Sequence, residues 1–249
     1  MTSDGRPTAL VTGGAKRVGR AIALAFAAAG CDVVVTYRSS ETEANALAEE
    51  IRGMGVTAHA LPLDLSRLED IPEFASRVSE CIDSLAALVH NASIYDRTPL
   101  DDLTIDDLRR HADINAFGPL LLTRALLPLL RRGSSPSVTA MADIHAMGVP
   151  RSSFAAYSMS KAALAEMVRS LAIDLAPDIR VNGVAPGVVA FPDSGYESDE
   201  ATQQAYLRRV PLERTGTPED AAEAVVWLAL KATYCTGQFI NVDGGRRLR

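Results

Sequence analysis

Residues 8–26 read TALVTGGAKRVGRAIALAF. The stretch opens on a short apolar run suited to a strand covered on both faces. It closes on RAIALAF, which is apolar at helical spacing and rich in strong helix formers. Between them, Thr12 to Gly19 carry three glycines where the backbone has to turn tightly. A helix that begins at such a turn aims its free N-terminal amides at whatever occupies the turn, and this favours a phosphate. Taken alone, the same residues also suit an ordinary tight strand-to-helix connection.

The rest of the chain repeats this alternation. Short apolar or β-branched runs at 8–12, 32–37, 57–63, 85–90, 137–141, 179–185 and 239–242 alternate with helical patterns near 17–29, 40–53, 67–83, 104–132, 154–176 and 218–230. Continuous apolar strands imply a sheet covered on both faces, and their alternation with helices implies parallel crossovers. No linker composition divides the 249 residues, so residues 1–249 are expected to form a single domain. Segment 186–216 has Gly, Pro and acidic residues and little periodicity. It is expected to be a long loop with one short helix, placed where it can shape a substrate pocket.

Composition excludes several classes of function. A hydrophobic share of 47% and a charged share of 22% suit a globular domain. The net charge of -6 argues against a nucleic-acid partner, because phosphate backbones need a basic surface. Cys31, Cys81 and Cys235 are scattered and form no CxxC pair, which points to a reducing cytoplasm rather than a disulfide framework. The N-terminus lacks a basic region followed by a long apolar run, so no signal peptide is expected. Apolar stretches such as AIALAFAAAG are too short to cross a bilayer, so no membrane partner is expected. His59, His90, His111 and His145 have no ligand-like spacing, and no metal is expected.

The second strand, DVVVTYRSS (32–40), speaks to the ligand. Folds that bind NAD commonly end this strand on an acid that bonds the ribose 2′-hydroxyl. Here the end is Tyr37-Arg38-Ser39-Ser40, with no carboxylate to repel a phosphate and a guanidinium and hydroxyls to hold one. Lys16 and Arg17 add positive charge. NADPH is therefore favoured over NADH, a solvated Arg38 being the plainer alternative. Further on, Tyr157 and Lys161 stand i, i+4 and share one helix face. An ammonium close to a phenol is expected to lower its pKa from about 10, so that the tyrosine exchanges protons near neutral pH.

These motifs together resemble the short-chain dehydrogenase/reductase family over nearly the whole chain. Thr12-Gly13-x-x-x-Arg17-Val18-Gly19 resembles its TGxxxGxG cofactor turn, with arginine replacing the middle glycine. Asp64-Leu65 stands where the family contacts adenine, and His90-Asn91-Ala92-Ser93 resembles its NNAG. Asn115 matches its structural and proton-relay asparagine, and Tyr157-x-x-x-Lys161 its catalytic YxxxK. Pro186-Gly187, followed by Val188, matches its nicotinamide-side turn, and Asp243-Gly244-Gly245 its C-terminal DGG. The resemblance implies an α/β fold: a single-domain, Rossmann-like, doubly wound parallel sheet of seven strands in the order 3-2-1-4-5-6-7, with helices on both faces. It also implies NADPH as cofactor, a lysine that holds the nicotinamide ribose, and a homo-oligomer, dimer or tetramer.

After the fifth strand most family members have a serine. This chain reads Met141-Ala142-Asp143-Ile144-His145. Asp143 is either a turn residue closing the strand or a carboxyl beside the tyrosine, suited to a substrate with ring nitrogens rather than a simple carbonyl. With the turn arginine, YRSS and HNAS, it resembles the pteridine reductase and dihydromonapterin reductase branch. In that branch an aromatic four residues after the NAS asparagine stacks on the pterin, and Tyr95 holds that place; a surface loop tyrosine is the alternative. The implied substrate contacts are Arg17, Ser93, Tyr95, Asp143 and Tyr157, and the implied catalytic group is Asp143, Tyr157, Lys161 and Asn115. There are departures from the family. Its threonine shortly after the Pro-Gly is absent, and the loop FPDSGYESDEATQQAY is acidic. The basic end GGRRLR raises Arg247 or Arg249 as a visitor to a neighbouring subunit's pocket, against a solvated tail. The expected activity is NADPH-dependent reduction of a C=N bond in a dihydropterin or dihydrofolate-like ring, with Tyr157 as proton donor. A carbonyl reductase of 3-oxoacyl or sugar-alcohol type is the alternative, and a catalytically silent NADPH-binding sensor a further one.

Overall fold

In the strands, neighbouring residues point to opposite faces, and both faces are apolar. Ala9, Val11, Val33, Val35, Ala87 and Val89 belong to one buried cluster, whereas Leu10, Val34, Leu88, Val138, Ala140 and Val181 belong to the other. That period of two, apolar on both sides, is why the strands look like unbroken hydrophobic runs. The computed structural model of the chain describes residues 5–189, 191 and 198–249.

Seven parallel strands, β1 (Thr8–Val11), β2 (Asp32–Tyr37), β3 (Ala58–Pro62), β4 (Ala87–His90), β5 (Ser137–Met141), β6 (Arg180–Pro186) and β7 (Phe239–Val242), form one sheet in the order β3-β2-β1-β4-β5-β6-β7. Helices α1 (Arg17–Ala28), α2 (Glu41–Gly53) and α8 (Pro218–Leu230) cover the first face through Ile22, Phe26, Leu47 and Val225. On the second face lie α3 (Ile71–Cys81), α5 (Gly118–Leu130) and α6 (Ala155–Asp174), which bury Phe74, Leu122, Leu126 and Val168. Complete burial of side chains such as Phe26 or Leu122 stabilises the fold by roughly 2–3 kcal/mol each. The chain leaves β1 towards β2 and β3, then returns to β4 on the other side of β1. At this reversal the carboxyl ends of β1 and β4 splay their loops apart and leave a crevice for a ligand.

Two expectations are modified. The apolar periodicity over 104–132 predicts one helix. The structure instead has α4 (Ile105–Ala112), a π-helical turn (Asp113–Phe117) and then α5. The helix is not broken but locally widened, and the widened turn contains the buried Asn115. Secondly, the joined run Ile105–Leu130 is long and apolar enough, by length and composition, to cross a membrane, contrary to the expectation that no stretch would be. Its apolar residues Leu122, Leu126, Leu129 and Leu130 are nevertheless buried against the sheet, as in a core helix. Segment 186–216, expected as a long loop with one short helix, contains helix α7 (Glu200–Leu207), capped by the Asp199 carboxylate, which accepts from the Thr202 N–H. Residues 190 and 192–197 of that loop lie outside the described residues.

Candidate active site

The glycine-rich turn is pinned to the end of β4 by side-chain hydrogen bonds. The buried hydroxyl of Thr12 donates to the Val89 carbonyl and accepts from the backbone N–H groups of Asn91 and Ala92, both at 3.0 Å. The Asn91 amide returns two bonds, to the carbonyls of Thr12 and Gly13. Gly13 has φ +62, and a Cβ there would press on Ala92. A Cβ on Gly19 would collide with the Gly13 carbonyl oxygen and with Asn91 Nδ2. The turn is therefore closed tightly behind and open in front. Arg17, where the family has a glycine, takes the left-handed conformation glycine would adopt, φ +50.

In front of the turn lies a cleft of about 310 Å³. Gly13, Lys16, Asn91 and Ala92 form one wall, Tyr37, Arg38 and Ser39 the end of β2, and Asp64 and Leu65 the floor after β3. The Asp64 carboxyl is fixed by Ser66, which donates from both its N–H and its hydroxyl. Burial works against its ionisation, but those bonds and nearby Arg38 hold its pKa below the usual range. Lys16 is ion-paired with Glu43 on α2 at 2.7 Å. Arg38 has no ion-pair partner among the described residues and is available to an added phosphate. A cradle with no Cβ at Gly13 or Gly19, a guanidinium at the end of β2 and a carboxylate after β3 together fit the phosphates and adenosine of a nicotinamide dinucleotide.

A second cavity of about 350 Å³ adjoins the first; Lys16, Asn91 and Ser93 line both. Arg17, Val18 and Gly19 enter it from α1, Tyr95 from the loop after β4, Gly187 and Val188 from the end of β6, and Asp143 and Tyr157 from the back. Tyr157 is buried on α6, and its hydroxyl donates to Asp143 Oδ2 at 2.7 Å. The other carboxylate oxygen, Oδ1, accepts from the His145 N–H, also at 2.7 Å. Asp143 thus closes the strand as a turn residue and holds the phenol as well. One oxygen serves the turn and the other meets the phenol.

The expected acidic phenol is not what forms. Burial first, then the Asp143 carboxylate and its hydrogen bond, push the Tyr157 pKa well above its ordinary value. The Lys161 ammonium points elsewhere and donates to the Met141 carbonyl at 2.7 Å. Helical spacing put both residues on one face but could not reveal that the last carbonyl of β5 would take the lysine's hydrogen. Burial also pushes the ammonium's own pKa down to about 8, against the pull of Asp143. Tyr157 therefore stands as a protonated donor.

Asn115, buried in the π turn, works behind this group. Its Oδ1 accepts from the Ile94 N–H, while its Nδ2 donates to the Ile94 carbonyl and to Ser160 Oγ, and Ser160 donates in turn to the Tyr157 carbonyl. The amide so ties the loop bearing Tyr95 to the helix bearing Tyr157. The Tyr95 ring stacks on Phe154 (centroids 4.7 Å apart, planes at 20°) and meets Tyr157 edge-on, also at 4.7 Å. Pro186 ends β6, and the Gly187 N–H donates to the Val242 carbonyl.

The comparisons with known proteins agree with this geometry. A family model described as enoyl-(acyl carrier protein) reductase matches residues 13–247. The chain belongs to the short-chain dehydrogenase/reductase family. Within it, a 3-oxoacyl-(acyl-carrier-protein) reductase of Synechocystis is 34% identical over 251 residues, covering 98% of either chain. Glucose 1-dehydrogenase 2 of Bacillus subtilis is 31% identical over 245 residues, covering 97% of this chain and 95% of that one. The crystal structure of an acetoin dehydrogenase from Salmonella typhimurium superposes with a TM-score of 0.88 at 28% identity, covering 98% of this chain and 96% of the other. The chain is thus a short-chain oxidoreductase, of a family that uses a nicotinamide cofactor and acts on small molecules.

Several site residues escaped the motif-based reading. Tyr206 on α7 reaches the second cavity, where its hydroxyl accepts from the Val188 N–H at 3.1 Å. That bond stands next to the position at which the family's threonine is absent. His145 and Arg151 also line the cavity, and the Arg151 guanidinium lies 4.6 Å from the Phe154 ring centroid. None of the three sits in a motif of fixed spacing. Only the acidic loop hinted at α7, and nothing local marked Arg151.

Proposed function

We propose that this short-chain reductase uses NADPH to reduce a carbon–nitrogen double bond in a pteridine ring, of dihydropterin or dihydrofolate type. The observation that carries the reading is the 2.7 Å hydrogen bond from Tyr157 to Asp143. A carbonyl oxygen becomes an alkoxide on reduction, and a carboxylate beside it would oppose the developing negative charge. A ring nitrogen instead gains positive charge as it takes a proton, and the same carboxylate favours that charge. Tyr157, held protonated, donates to the nitrogen, while Asp143 orients its hydroxyl and balances the nitrogen's charge. Ser93, Arg17 and Tyr95 would contact the ring.

Bound NADPH would supply the hydride. Thr12, Gly13, Val18 and Gly19 would shape its phosphate cradle, Arg38 and Ser39 would hold the 2′-phosphate, and Asp64 and Leu65 would serve the adenine. Lys161 would exchange the Met141 carbonyl for the nicotinamide ribose, with Pro186, Gly187 and Val188 beside the carboxamide. Asn115 positions the loop and helix that carry the reacting groups. A homo-oligomer, dimer or tetramer, belongs to the same proposal, because α5 and α6 leave Leu120, Met159 and Ile173 exposed.

A carbonyl substrate is the second reading, and the relatives favour it. They are a 3-oxoacyl reductase and dehydrogenases of glucose and acetoin. NADPH oxidation assayed with dihydrobiopterin, dihydrofolate, a 3-oxoacyl thioester and acetoin separates the two. Turnover of either pterin supports the C=N reading. Turnover of the thioester or acetoin alone overturns it in favour of the carbonyl. Binding of NADPH with no turnover on any of the four would leave only the silent sensor.

A further inference from the structure

A third cavity, of about 430 Å³, opens off the substrate pocket. His145, Arg151 and Tyr206 line both, so the two spaces adjoin. The described lining of the outer cavity includes four arginines, Arg97, Arg151, Arg209 and Arg246, and no carboxylate. That is a dense cluster of one sign on a chain with net charge -6. Two of these cations, Arg209 and Arg246, on one concave lining raise the local potential and favour an anion there.

Arg246 is the second sign. It is only 7% exposed. Its Nη1 donates to the Arg249 carbonyl at 2.9 Å, and its guanidinium carbon lies 5.5 Å from the Tyr206 ring centroid. Its Nε is buried with no hydrogen-bond partner. A buried guanidinium N–H left without an acceptor is unfavourable unless a partner arrives, and a planar oxyanion suits its geometry. On the same lining, Arg209 is exposed and has no ion pair among the described residues.

We infer that the outer cavity is a subsite for an oxyanion, carboxylate or phosphate, carried on an arm of the substrate whose reacting ring lies against Tyr157 and Tyr95. The preferred substrate is therefore acidic: a folate-type molecule with a carboxylate arm, or a ring bearing a phosphate ester, rather than one with a neutral hydroxyalkyl side chain. The inference rests on the pocket at Tyr157 being the substrate site, and the ring itself is the pteridine proposed above.

The test combines kinetics with direct binding on the full chain in the presence of NADPH. KM for dihydrofolate and for dihydrobiopterin, which has no anionic arm, is compared in the wild type and in Arg209→Gln and Arg209→Glu. Calorimetric titration with p-aminobenzoylglutamate, an acidic arm without the ring, and with inorganic phosphate is run on the same proteins. We expect the ratio of the two KM values to shift about tenfold against dihydrofolate in each variant, with kcat retained, and one of the two anions to bind the wild type and to bind the variants several-fold more weakly. Binding of p-aminobenzoylglutamate would identify a carboxylate arm, and binding of phosphate alone a phosphate arm. Anion binding weakened by the substitutions, with no pterin turned over, would keep the subsite and remove the pteridine. Pterin turnover with an unchanged KM ratio and no anion binding would overturn the subsite and keep the pteridine.

Discussion

Tyr157 and Asp143 meet at 2.7 Å, the phenol donating to a carboxylate whose other oxygen is already held by the His145 N–H. The carboxylate cannot rotate away without losing a backbone bond, so the phenol's proton has a fixed direction. Because Asp143 and burial both oppose the phenolate, Tyr157 keeps its proton at alkaline pH. Asp143→Asn removes the carboxylate's effect and leaves that of burial. The Tyr157 pKa then falls, and the tyrosine-dependent alkaline limb of kcat moves to lower pH. Asp143→Ser should lower kcat/KM for a dihydropterin about 10- to 100-fold with the affinity for NADPH little changed. Unaltered pterin turnover in Asp143→Ser would return the residue to a turn role.

Arg38 stands at the end of β2 facing the cofactor cleft. A charge-assisted bond to a 2′-phosphate contributes about 1.5–3 kcal/mol, and NADH offers no such phosphate. Arg38→Ala should therefore weaken NADPH about 10- to 100-fold while NADH binding stays near its original value. Equal losses, measured as Kd by fluorescence quenching, would count against the assignment.

Gly19 leaves no room for a side chain, since a Cβ would meet the Gly13 carbonyl oxygen and Asn91 Nδ2. Backbone on one side and a doubly bonded amide on the other cannot yield cheaply. Gly19→Ala should cost about 1–3 kcal/mol of stability and remove most NADPH affinity. Retention of both in urea denaturation and cofactor titration would mean the turn is looser than its contacts indicate.

His90 gives the fold a pH dependence of its own. It is buried at the end of β4 and bonded through Nε2 to Thr123 Oγ1 at 2.7 Å, and burial pushes its pKa down to about 3. The unfolded chain takes up this proton near pH 6.5, the folded chain only near 3. The neutral, buried histidine is therefore at no disadvantage above pH 6.5, and stability is lost as pH falls from 6.5 towards 3, by about 1.4 kcal/mol per unit at the steepest. His90→Asn removes that limb, so its unfolding free energy should gain on the wild type as pH drops from 7 to 4. Parallel curves in urea titrations across that range would contradict the assignment.

Much of this was legible in the chain. The strand order follows from apolar runs of four to seven residues alternating with helical periodicity, because only a parallel sheet with covered faces buries both sides of such strands. Thr12, Gly13 and Gly19 announced the cradle through their spacing, since a tight turn constrains neighbours in sequence. The π turn at Asn115 was not legible, because widening a helix by one residue changes no composition.

Sequence alone therefore determined the sheet, the cofactor turn, the paired Tyr157 and Lys161, and the anomalous acid at 143. Tertiary structure decided what those groups do to one another. Lys161 donates to the Met141 carbonyl rather than favouring the phenolate, and Asp143 joins Tyr157 across the space between a strand end and a helix. Tyr206 and Arg246, from segments near the C-terminus, complete cavities begun by residues far earlier in the chain. The physical reason is range: periodicity and turn chemistry act between close neighbours in sequence, whereas a proton's affinity depends on burial and charge within a few ångströms in space, which only the folded chain fixes.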